Sequence, residues 1–318
     1  MSGTQRFPDW ILFTAGAAAV VIAGLVLTAF AGSALFWPGV IAVWGIAWFV
    51  NSRLVTLPTL SDPLARLRDI AVPAIFGLTL LFLWETFTRG LGVPPVLLPP
   101  PSAIAATFSK ALPTLGADFV QTFIRAVIPG WLIGCGSGFL AAILCDRIPF
   151  LRRGLLPLGN FVAALPIVGI APIMVMWFGF DWQSKAAVVV IMTFFPMLVN
   201  TVAGLSAAGA LEKDLMRSYG AGYASTLIKL RLPAAMPFVF NALKINSTLA
   251  LVGAIVAEFF GTPIVGMGFR ISTEVGKMAI DMVWAEIAVA ALIGSASYGI
   301  LTLIERRATF WHPSYRGR

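Results

Sequence analysis

The chain has 318 residues, 59% of them hydrophobic and only 11% charged, with 22 Lys and Arg against 14 Asp and Glu for a formal charge of +8. Soluble domains carry roughly 25% charged residues, so the composition excludes a water-soluble enzyme or binding module and specifies a polytopic membrane protein. One histidine, His312 in the tail, and two cysteines exclude a histidine-based metal cluster and a Ser-His-Asp triad, and no catalytic residue, metal or cofactor is expected.

Helix is the only element that fits the apolar runs, because backbone amides in hydrocarbon need internal partners and nothing here alternates like barrel strands. Runs of about 17 residues or more, enough to cross the bilayer, fall near 10–30, 34–50, 70–88, 119–145, 155–180, 186–208, 234–261 and 284–304. The fold class is therefore all-α and polytopic, with about eight transmembrane helices. In the first span, Trp10 to Phe30 carry no charge; the following AFA, Ala29 to Ala31, resembles a cleavage site. The run is too long for a signal peptide, and Asp9 offsets Arg6, so an uncleaved span is expected.

Span four aligns Gly130, Gly134, Gly138 and Ala142 on one stripe, a pattern that lets backbones approach closely. Packing inside the subunit is expected rather than a homodimer seam. Cys135 and Cys145 lie about 15 Å apart along this helix, too far to bridge. In span five, Pro166, Gly169 and Pro172 interrupt the helical ladder, which is tolerated at membrane depth where the freed carbonyls are buried or face water. That segment is a candidate pore lining, and Trp177, Phe178 and Trp182 beyond it suit an aromatic belt.

Charges inside spans are costly and point to function. Glu85 and Arg125 suit the outer interface, whereas Lys244 and Glu258 are candidates to line a translocation path. These last two stand about 21 Å apart along span seven and cannot pair with each other. Asn241, Asn246 and Ser247 fit either the path or interhelical hydrogen bonds.

Every even connection is basic: Arg53, Arg66 and Arg68; Arg147, Arg152 and Arg153; Lys213, Arg217, Lys229 and Arg231; then Arg306, Arg307, Arg316 and Arg318. Cationic loops stay inside, so both termini should be cytoplasmic. The positive charge is topology, not a sign of nucleic acid. No phosphate-binding loop occurs: GKM at Gly276 lacks the upstream glycine and the hydroxyl, and GAGYAS at Gly220 follows no strand. Outer loops are too short to form a folded solute-binding domain.

The polar stretch EKDLMRSYGAGYASTLIKLRLPAAMP, residues 212–237, interrupts this pattern. It reads as a short helix over 214–219, a break at Gly220, a second helix over 224–232 (ASTLIKLRL), and Pro233 opening the next span. A compact two-helix plug suits docking onto a separate motor; an ordinary basic loop is the alternative.

Asp214-Leu215-Met216, three residues, Gly220, nine residues, Leu230, one residue and Leu232-Pro233 resemble the EAA loop of bacterial ABC importer permeases, where the run is Glu-Ala-Ala, Gly, Ile, Leu-Pro. Asp replaces Glu, Leu-Met replaces Ala-Ala and Leu230 replaces Ile. LLPPPSAIAATF at 97–108, ALPIVGIAPIMVMWFGF at 164–180, TFFPMLVNTVAGL at 193–205 and LVGAIVAEFFG at 251–261 are similar to the nitrate, sulfonate and taurine branch. The blocks cover roughly residues 70 to 307, and the ERRATFWHPSYRGR ending resembles permeases for pyrimidine precursors or riboflavin. The resemblance implies a type I (MetI-like) permease core at 61–310, an added hairpin at 1–60 and a cytoplasmic tail at 311–318. It also implies a homodimer in the lipid bilayer, an ABC ATPase subunit dimer docked at 212–233, and an external solute-binding protein. Docking would involve Asp214, Leu215, Met216, Ser218, Tyr219, Gly220, Ala221, Leu230, Leu232 and Pro233. An ion-coupled secondary transporter using Lys244 or Glu258 is the alternative; a membrane enzyme lacks a nucleophile and base.

Overall fold

A computed structural model of the protein describes residues 33, 35–56, 62–163, 165–261 and 263–311. The expected span at 10–30 and most of the expected tail lie outside these residues. The chain divides into two compact units, one reaching to Lys110 together with Met278–Met282, the other comprising Ala111–Lys277 and the chain from Val283 onward.

The first unit holds α1 (Phe36–Thr56), α2 (Asp62–Gly90) and α3 (Pro101–Lys110). Phe36 and Val40 of α1 pack on Phe82 of α2, and Leu54 packs on Ile75. A side chain at Gly90 would meet the Phe36 ring, so the helices close tightly there. Near the end of α2, Glu85 pairs with Arg89 and accepts the Ser102 backbone N–H at 2.9 Å and its hydroxyl at 2.7 Å. The carboxylate thus satisfies a free donor at the start of α3, where negative charge is favoured.

The second unit contains α4 (Leu112–Arg147), α5 (Pro149–Ala163), α6 (Ile167–Phe178), α7 (Trp182–Ser206), α8 (Ala210–Ser218), α9 (Tyr223–Glu258), α10 (Met267–Gly276) and, from Val283 onward, α11 (Ile280–Ala308). Among the described residues, six helices are long and apolar enough to cross a membrane: α1, the Leu67–Gly90 part of α2, α4, α7, α9 and α11.

The single span expected at 155–180 is instead two shorter helices, α5 and α6. Pro166 stands at the junction with extended backbone, φ −67° and ψ 121°, because proline has no N–H and pushes the preceding residue out of the helical region.

The core of this unit is α7, packed between α4 and α9. The expected intrasubunit glycine stripe is present: an added Cβ would meet Val189 and the Ala186 carbonyl at Gly130, Thr193 and the Val190 carbonyl at Gly134, and the Phe194 carbonyl at Gly138. From the other side, Asn246 of α9 donates to the Thr193 carbonyl at 2.8 Å. Cys135 and Cys145 are buried free thiols serving as packing residues.

Two π-helical stretches, Val120–Val127 in α4 and Leu227–Arg231 in α9, each end one residue before the residue that precedes a proline. Ile128 N–H reaches Phe123 C=O, and Leu232 N–H reaches Leu227 C=O. The wider turn makes room for the rings of Pro129 and Pro233, which would otherwise clash with the carbonyl four residues back. Hence Pro233 does not open a separate helix, as its sequence suggested. The second helix of the polar segment runs unbroken into the span.

Candidate functional site

The polar segment folds into two unequal halves. Helix α8 ends in a Schellman turn: Ala221 N–H bonds Met216 C=O at 2.9 Å, Gly220 N–H bonds Arg217 C=O at 2.9 Å, and Gly220 has φ +69°. That backbone conformation is one that only glycine adopts readily. Leu211, Leu215 and Tyr219 follow one another at helical spacing and are 84%, 56% and 81% exposed, forming an apolar stripe on one face. Asp214 and Ser218 are exposed and Met216 and Ala221 half-buried, with Asp214 paired to Arg217 at 3.3 Å.

The second half is anchored. Leu230, Leu232 and Pro233 are half-buried, while Leu227 packs on Leu205 and Ala235. Arg231 grips Asp146, at the end of α4, with both terminal guanidinium nitrogens, Nη1 at 2.7 Å from Oδ2, and gives its Nε–H to the Leu205 carbonyl of α7 at 3.0 Å. Tyr223 donates its hydroxyl to the same Asp146 at 2.9 Å, and Arg147 lies 4.9 Å over the Tyr223 ring. Asp146 and Arg231 side chains are 6% and 17% exposed, which makes this a largely shielded, forked ion pair.

The residues singled out for a path do not converge. Pro166, Gly169 and Pro172 are exposed at three-residue spacing along α6, and Asn241 is exposed on α9. Lys244 is instead bonded at 2.7 Å to Glu305 of α11, with the Tyr298 ring 5.7 Å away. Glu258 is 3% exposed and accepts bonds from the Thr122 hydroxyl at 2.8 Å and the Gly268 N–H at 2.7 Å. Thr122 in turn accepts the Met267 N–H at 2.8 Å, while Asp118 accepts the Gly266 N–H at 2.6 Å and Arg270 Nε–H at 2.8 Å. Together these side chains satisfy the free amides at the start of α10. The bond to Asp118 raises the Arg270 guanidinium above its ordinary value, keeping it charged. Glu286, also buried, adds a further carboxyl beside Asp118. A separate apolar cavity of about 450 Å³ lies among α4, α9 and α11, lined by Phe123, Trp131, Ser247 and Ser297 among others.

Sequence reasoning missed Asp118, Asp146 and Glu305, the acids that complete these pairs. Their signal was available: each is an isolated carboxylate at or near the end of an apolar run, a position that burial renders costly without a cation.

The family described as binding-protein-dependent transport system inner membrane component matches residues 134–310, more than half of the chain and all of α5 through α11. The formylaminopyrimidine transport permease protein of Halalkalibacterium halodurans is 28% identical over 239 residues, covering 75% of this chain and 95% of that one. The riboflavin transport system permease protein of Chloroflexus aurantiacus is 28% identical over 247 residues, covering 77% and 91%. The taurine transport system permease protein of Escherichia coli is 26% identical over 265 residues, covering 79% and 92%. These relatives are transport permeases, and with six membrane-length apolar helices among its described residues the chain belongs with them, as a multi-pass inner-membrane permease of the nitrate, sulfonate and taurine family of binding-protein-dependent ABC transporters.

Proposed function

We propose that the protein is the membrane-spanning, non-catalytic subunit of an ATP-driven importer for a small organic solute or anion, of the sulfonate, nitrate, taurine, pyrimidine-precursor or riboflavin class. Two copies enclose the path, two ATPase subunits dock at 212–233, and an external solute-binding protein delivers the cargo. Residues 61–310 form the permease domain, 1–60 an added hairpin and 311–318 a cytoplasmic tail. The observation that carries this reading is the exposed stripe of Leu211, Leu215 and Tyr219 on α8. A polar connection between spans has no reason to present three large apolar side chains on one face unless a partner covers them.

Closure of the ATPase pair would move the docked segment as a rigid body and alternate the access of the path. Pro166 at the entry of α6, Gly169 and Pro172 within it, and Asn241 of α9 are exposed, as residues lining that path would be. Lys244 and Glu258, each held in bonds within the subunit, fit bracing roles, which removes the main support for an ion-coupled carrier.

The test is copurification of the co-expressed ATPase with Leu215→Asp. A charge buried in an apolar cleft should lower ATPase retention by about tenfold or more, a change of ~1.4 kcal/mol or above. Unchanged retention would remove α8 from the docking surface.

A further inference from the structure

We infer that Asp146 is the joint through which movement of the docked segment enters the membrane-spanning core. This rests on the docking reading above and adds to it the residues that carry the force onward.

The two halves of the segment differ in how they are attached. Helix α8 is bordered by the Gly220 turn and has an exposed apolar face. The stretch from Tyr223 to Arg231 is tied at both of its ends to one carboxylate, since Tyr223 and Arg231 both donate to Asp146. Each of the three guanidinium nitrogens of Arg231 donates, two to Asp146 of α4 and one to the Leu205 carbonyl of α7. The Leu205 carbonyl lies in the last turn of α7, where carbonyls lack an intrahelical partner. A single side chain therefore ties the beginning of α9 to the ends of two spans at once.

Three features suit this clamp to transmit displacement. The planar fork of arginine on a carboxylate resists rotation, where a lysine contact would pivot about one point. The Asp146 carboxylate is 6% exposed and Arg231 17%, so the pair is largely shielded from water and its hydrogen bonds are strengthened. And α4 and α7 are packed along the glycine stripe with almost no clearance, so a push at their ends moves them together and is not absorbed by side-chain rearrangement.

The experiment uses the permease copurified with its co-expressed ATPase and reconstituted in lipid nanodiscs, with a spin label on a cysteine replacing Leu140. That residue is 62% exposed on α4, and the two native cysteines are buried. Distances between the two labels are measured without nucleotide and with ATP and vanadate. The wild-type complex should show an ATP-dependent population. In Arg231→Lys and Tyr223→Phe this population should fall by about threefold or more, within the range found for residues that carry coupling. Both side chains face Asp146 and not the exposed stripe of α8, so ATPase retention and the nucleotide-free distances should stay unchanged, while the melting temperature should fall by no more than a few degrees. Tyr223→Phe removes one hydroxyl and keeps the ring beneath Arg147, so it remains informative if Arg231→Lys misfolds. An unchanged ATP-dependent population in both variants overturns the joint, as does a wild-type α4 distance that ignores ATP. Loss of ATPase from the variants would place these residues in the docking surface instead. Failure of the ATPase to bind the wild-type permease would overturn the docking reading itself.

Discussion

Gly220 and Glu258 are single residues whose roles the geometry separates. A Cβ on Gly220 would meet nothing within 4 Å, yet the backbone holds φ +69°. Gly220→Val should therefore cost about 1–2 kcal/mol through the backbone alone and misdirect α8 without disturbing the spans. The mutant permease should reach the membrane in normal amounts and retain less ATPase; normal retention would show that the turn is dispensable. Glu258 makes the opposite case. Glu258→Ala leaves the buried Gly268 N–H and Thr122 hydroxyl without their acceptor, costing roughly 1–3 kcal/mol for each group, so melting in detergent should drop by several degrees. Glu258→Gln keeps an acceptor and should lose less. A cysteine at 258 that reacts readily with a hydrophilic thiol reagent, in a protein of native stability, would return the residue to the path. At this scale the sequence showed which charges were out of place and not what they touched. Lys244 and Glu258 stood out against apolar neighbours, but their partners lie 61 and 136 residues away in the chain, at Glu305 and Thr122.

The helices themselves were legible because membrane depth leaves a chain few alternatives to helix. What periodicity does not report is how a helix accommodates proline. At Pro166 the chain breaks, whereas at Pro129 and Pro233 it widens into a π turn and continues; the residue type alone does not decide between the two. Neighbouring glycines in α4 offer a direct measure of helix packing. An added Cβ at Gly134 would lie 2.0 Å from the Thr193 hydroxyl and 2.9 Å from the Val190 carbonyl, while one at Gly136 meets nothing within 4 Å. Gly134→Ala should be destabilising by about 1–3 kcal/mol, and Gly136→Ala neutral or stabilising by up to about 1 kcal/mol. Melting curves of the two variants in one detergent check the difference. Equal stability would mean that α4 and α7 can separate at no cost.

For the whole molecule, the distribution of Arg and Lys predicts that both ends of the chain face the cytoplasm, which requires the two short helices α5 and α6 to cross the bilayer together. Reporter fusions after Ser52, Arg153 and Arg318 should all give the cytoplasmic signal, and an external signal at any of them would overturn the topology. The same orientation puts the stripe on α8 in water whenever the ATPase is absent. Leu211, Leu215 and Tyr219 would then be a patch that chaperones and proteases can grip, on a subunit too apolar to be released from the bilayer. If the ATPase docks there, a cell that makes more permease than ATPase would leave the patch uncovered on the surplus copies, and these should turn over faster than copies held in the complex.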